Sequence, residues 1–197
     1  MTIYKEQDIE YILDRRLARQ ISVTVDDETD CPWSDDELRI PKGTVLGQDS
    51  STKKCFVIKS SVLDDTAALG QKVIPVADTT PFTAGDVVTL YDVSAGTSED
   101  VTIDTISDGV SITATTNLVA AYAATDYVFV KGTNGSDEAK FILDEAISLR
   151  DTLGNAQETA ALVTVAALII DGRIDKITAR EKAQLLAEGA FKFVEVE

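Results

Sequence analysis

The chain has 197 residues, 44% of them hydrophobic, which is enough for one good core or two small ones and too many for a disordered chain. Its 34 acidic against 18 basic side chains give a formal net charge of −16, which argues against a nucleic-acid partner or an anionic membrane surface, since either would repel it. It has no histidine, which excludes Ser-His-Asp and Cys-His nucleophiles and imidazole metal ligands.

The first stretch, MTIYKEQDIEYILDRRLARQ, is charged from Lys5 onward and holds no signal-peptide apolar run, so synthesis in the cytoplasm with reduced thiols at Cys31 and Cys55 is the expectation. Ile9, Ile12, Leu13 and Leu17 fall at helical spacing, with Asp8 placed to cap them. In ISVTVDD, Ile21, Val23 and Val25 alternate like a strand. DDETDCPWSDDE then reads as a loop, in which Trp33 is a candidate interface anchor or a ring tucked against its own core. With so much charge and so few apolar anchors, residues 1–38 are expected to be loosely held.

RIPKGTVLGQDSSTKKCFVI, residues 39–58, predicts a turn followed by a small hairpin, Thr44–Leu46 against Cys55–Ile58. Composition shifts over 71–135, where lysine occurs only at 72 and 131. Five β runs recur there: KVIPV (72–76), DVVTLYD (86–92), EDVTIDTI (99–106), VSITATT (110–116) and DYVFVK (126–131), separated by Gly- and Asp-bearing turns. They predict a small β-sandwich or barrel. Ile106 breaks the alternation set by Val101 and Ile103, and NLVAAYAA (117–124) reads as a loop or helical turn.

Beyond residue 136, AKFILDEAISL predicts a strand at Phe141–Leu143, and ALVTVAALII a second, deeply buried one. Thr178 and Glu181 form a capping box, Ala183, Leu185 and Leu186 a packing stripe, and Gly189 a helix stop. Phe191 and Phe193, with Val194 and Val196, continue as a last strand. The hairpin at 44–58 matches the texture of KFILDEAIS better than that of the zone after it. The expected organisation is therefore an N-terminal arm and loop (1–38), a split core (39–70 plus 136–197) and an inserted β domain (71–135).

Chemistry-bearing motifs are sparse. The sequence has no glycine-rich phosphate loop and no C-x-x-C pair. The paired acids, Asp26-Asp27, Asp35-Asp36, Asp64-Asp65 and Glu99-Asp100, lie side by side rather than across a cleft, as glycosidic acid–base work would need. DDETD lacks the spacing and glycine of an EF-hand loop, and solvated charge is its favoured reading. Asn134-Gly135-Ser136 fits a glycosylation acceptor by chance in a turn. The longest apolar run, AALVTVAALII, is too short to span a bilayer. No enzyme activity, cofactor or metal site is expected.

Four motifs in order, IPKGTVLG followed by CFVI, AKFILDEAIS, ALVTVAALIIDGRID and AREKAQLLAEGAFKFV, resemble the phage head decoration (capsid cement) proteins of the lambda D-like family. The resemblance covers residues 39–58 and 139–196; compact members of that family lack the segment 71–135. It implies a mainly β fold with one or two short helices, a β-tulip-like core interrupted by the inserted module. It also implies a homotrimer on the virion exterior, bound to the major capsid protein at three-fold and quasi-three-fold sites, and an N-terminal arm that orders on the shell. Ile3, Tyr4, Ile21, Val23 and Val25 are the candidate arm contacts; equally, Ile21–Val25 fits a strand of the core sheet. The inserted module would project outward, with a host-surface glycan as a candidate ligand. A tail or baseplate adhesion protein is the alternative. A non-viral carbohydrate-binding protein is a weaker one, because aromatics are only 6% of residues.

Overall fold

The computed structural model describes residues 18–26, 39–150, 153, 155, 157–170, 174 and 177–194. The expected helix over 9–17 and the residues Ile3, Tyr4, Cys31, Trp33 and Val196 lie outside them. The described residues are mainly β. Arg19–Val25 (β1), Arg39–Ile40 (β2), Val45–Gln48 (β3) and Cys55–Val57 (β4) come first. Ser60–Val62 (β5), Val73–Pro75 (β6), Val87–Asp92 (β7), Thr97–Ser107 (β8), Ser111–Ala114 (β9) and Tyr127–Val130 (β10) follow. Ala139–Leu143 (β11), Ile147–Ser148 (β12), Thr159–Ile170 (β13), the helix Ala179–Ala187 (α1) and Phe191–Val194 (β14) complete the series.

Two six-stranded sheets take twelve of the fourteen strands among the described residues, and β2 pairs with β12 in a separate two-stranded sheet. The first has the order β1-β4-β3-β11-β13-β14, and β1 also pairs with β13, so five strands close into a ring with β14 appended. The hairpin β3–β4 sets Leu46 opposite Val57, and the other flank of β3 sets Leu46 opposite Phe141 and Val45 opposite Ile142. Sequence-distant stretches thus share one sheet, as the texture of KFILDEAIS predicts. The unbroken apolar runs have a simple cause: both faces of these strands are covered. Leu46, Phe141 and Leu143 join Val25, Cys55 and Val163 in one core cluster, while Val45 and Ile142 join Leu185 of α1, Ile169 and Phe191 in another. Cys55 packs as a small hydrophobe, and burial pushes its thiol up to about 12.

The second sheet has the order β5-β10-β7-β8-β9-β6, antiparallel throughout, and a bridge between Leu63 and Val76 joins its two ends into a barrel. All five runs expected between 72 and 131 are strands of this sheet. A register shift between Ile103 and Thr105 explains the broken alternation: the bulge re-phases β8, so Ile106 packs against the core. Residues 117–124 form a loop that drops Leu118 and Tyr122 into that core.

Two expectations need correction. The second barrel starts at Ser60 rather than at residue 71, and Leu63 and Ala67 belong to its core. Strand β5, Ser-Ser-Val, has no apolar alternation to announce it; β10 supplies its pairing. On α1, only Glu181 and Leu185 are buried, whereas Ala183 is exposed and Leu186 is 48% exposed. The helix is short and rests on its 181–185 line, which turns Leu186 outward.

Candidate functional site

Among the candidate arm residues, β1 carries Ile21, Val23 and Val25. Val25 and Val23 point into the first core. They are therefore unavailable to a partner, and their assignment as contacts is corrected: β1 is hydrogen-bonded along its length to β13 and meets Cys55 of β4 at Val25. Ile21, 37% exposed, is the one of the three that solvent reaches. Ile3, Tyr4 and Trp33 lie outside the described residues.

The densest polar chemistry lies where the chain crosses between the barrels. The outgoing crossing, Ile58–Ser60, and the returning crossing, 131–138, run side by side, with the Val130 amide donating to the Lys59 carbonyl at 2.9 Å. A cleft of about 270 Å³ opens between them, lined by Phe56, Ile58, Lys59, Val130, Lys131 and Asp137 among others. Gly47 on β3 lies so close to the returning crossing that a β-carbon there would sit 2.0 Å from the Ser136 carbonyl oxygen.

Asp49 ties the hairpin loop to the same crossing. One carboxylate oxygen accepts the Ser51 and Thr52 amides at 2.7 and 2.8 Å, and the other accepts Asn134 Nδ2 at 3.0 Å. These donors, the Thr52 amide first and Asn134 next, hold its pKa down at about 2.

Helix α1 makes the third tie. Glu181 is 1% exposed. Its Oε2 accepts the Thr178 amide at 2.6 Å, completing the capping box, while Oε1 accepts the Ser60 hydroxyl at 2.7 Å from the start of β5. The Arg180 guanidinium lies 3.6 Å from the centroid of the Phe129 ring on β10 and donates through Nη1 to the Asp137 carbonyl at 3.0 Å. Gln184 Oε1 accepts the Ala139 amide where the chain re-enters the first sheet. The capping box is legible in the sequence; the outward reach of Glu181 and Arg180 is not, because their partners lie on other elements.

The carboxylates of Asp49 and Glu181 are therefore each held by donors from more than one segment, which ties those segments together. Among the described residues, no group of three or more His, Cys, Asp and Glu side chains is placed to hold a metal ion. Against known proteins, the chain matches no family model, no curated protein and no solved structure.

Proposed function

We propose that this chain is a structural decoration protein that binds the outside of a phage head as a homotrimer and clamps neighbouring capsid subunits. The observation that carries the reading is the joining of β3–β4 to β11 and β13 in one closed sheet, because the stretches that resemble the decoration family are thereby parts of a single body. The remaining candidate contacts divide: Ile3 and Tyr4 belong to an arm that adds main-chain hydrogen bonds to capsid β structure and needs no catalytic group, while Ile21, fixed in β1, offers only its exposed side chain where that arm leaves the barrel. Three such arms on one trimer bind together at high effective concentration. The test is co-sedimentation with expanded, DNA-free capsids. Deleting residues 1–18 is expected to leave the first barrel folded and the protein trimeric while abolishing binding; unimpaired binding would remove the arm mechanism, and a monomer at high concentration would count against the reading as a whole.

A second reading, an adhesion component of a tail or baseplate, is favoured by one feature of the second barrel. Leu69 and Val119, 63% and 77% exposed, lie on segments zipped together by Gly70–Leu118, Leu118–Gln71 and Ala67–Tyr122 hydrogen bonds. Exposed apolar side chains on two segments joined through their backbones suit a partner contact. Binding to host cells that is lost in a Leu69→Ser/Val119→Ser variant would select this reading.

A further inference from the structure

Two barrels joined by two crossings would ordinarily be expected to move relative to one another. Helix α1 changes that expectation. A capping box asks the glutamate in its third position for one oxygen, which reaches back to the N-cap amide, and leaves the second uncommitted. Glu181 instead is buried and gives that oxygen to Ser60, the first residue of the first strand of the second barrel. One residue earlier, Arg180 covers the ring of Phe129, which lies on the last strand of the same barrel, and holds the Asp137 carbonyl of the returning crossing. One turn later, Gln184 holds Ala139. One short helix thus grips both ends of the second barrel's chain and the segment that leads back from it.

The chemistry favours a rigid grip. The Arg180 fork is planar, so stacking on Phe129 and donation to a carbonyl fix it in two directions at once. The Glu181–Ser60 bond is buried at its glutamate end, and breaking it would deprive a desolvated carboxylate oxygen of its hydroxyl donor. Leu185 roots the same helix in the first barrel's core beside Ile142 and Phe191. We infer that α1 is a clasp that locks the second barrel at one orientation on the first, with Arg180 and Glu181 as its contacts, so that the two barrels move as one rigid body. The inference holds whether or not the chain binds a shell.

Residual dipolar couplings of the full chain test it. Amides of both barrels are expected to fit a single alignment tensor in the native protein. In Arg180→Ala/Ser60→Ala, that common fit is expected to be lost while each barrel still fits a tensor of its own. Arg180→Lys, which keeps the charge but not the planar stack, is expected to lose the common fit as well and serves if the double variant does not fold. Two different tensors in the native protein would overturn the clasp, and so would a single tensor that survives in the variants.

Discussion

Asp49 shows how much one side chain can do in a loop. Its carboxylate gathers the Ser51 and Thr52 amides and the Asn134 side chain, so the charged form is what the fold binds. Its pKa of about 2 lies below the usual 3.8, so the unfolded chain takes up a proton first. The stabilisation is therefore complete above about pH 4 and is lost as the pH falls from there through about 2. Urea midpoints measured between pH 2 and 5 should fall toward acid less steeply in Asp49→Asn than in the native chain; parallel curves would show that Asp49 contributes nothing to the acid limb. The β1 residues make a second contrast at this scale. Val25 is fully buried and Ile21 half-open on the same face of the strand. Val25→Ala should cost about 2 kcal/mol in denaturant unfolding, from lost burial plus the cavity left behind. Ile21→Ala should cost less than about 1 kcal/mol. Equal costs would mean that β1 does not lie as described.

Single elements explain both what the sequence reveals and what it hides. Gly47 sits mid-strand, where glycine is ordinarily a weakness. Here the Ser136 backbone occupies the space a β-carbon would need, so Gly47→Ala should displace the returning crossing and cost about 1–3 kcal/mol. Gly43, with a positive φ and open space around it, offers a control at which only backbone strain is felt. A melting temperature unchanged by Gly47→Ala would refute the close approach. Strands β6 to β10 are legible because each carries its own apolar residues and its own turn, and the cap of α1 is legible because Thr178 and Glu181 are three residues apart. Strand β5 is not, since two serines and a valine become a strand only through β10. The faces of α1 and β1 are hidden for a related reason. Periodicity says which residues share a side, but only the packed neighbours decide how far along an element burial extends, and they leave Leu186 and Ile21 outside it. The junction is hidden more deeply: an arginine beside a capping glutamate looks like any solvent-facing helical pair until Phe129 and Ser60 arrive from elsewhere in the chain.

At the scale of the molecule, the close spacing of the two crossings decides whether the barrels need each other. The Val130 amide donates to the Lys59 carbonyl at 2.9 Å, so the chain leaves and re-enters the first barrel at nearly one point. Replacing residues 60–130 with roughly four glycine and serine residues therefore asks the chain to close only a hairpin-sized gap. The hydrophobic clusters of the first barrel contain no residue from that segment, so its core survives the excision intact. What is lost is the clasp: Ser60 and Phe129 vanish, and Arg180 and Glu181 turn to solvent, where they can be hydrated rather than stranded. The excised chain should accordingly unfold in one cooperative transition, measured by circular dichroism in urea, and keep the β signature of a folded sheet. A molten or unfolded product would mean that the second barrel is part of the first one's folding unit. The same chain also separates the functional readings. Contact through the N-terminal arm predicts that it still co-sediments with expanded capsids at undiminished affinity, because the arm and β1 are untouched. Loss of capsid binding in a chain that remains folded would instead move the contact surface onto the second barrel, where Leu69 and Val119 are exposed.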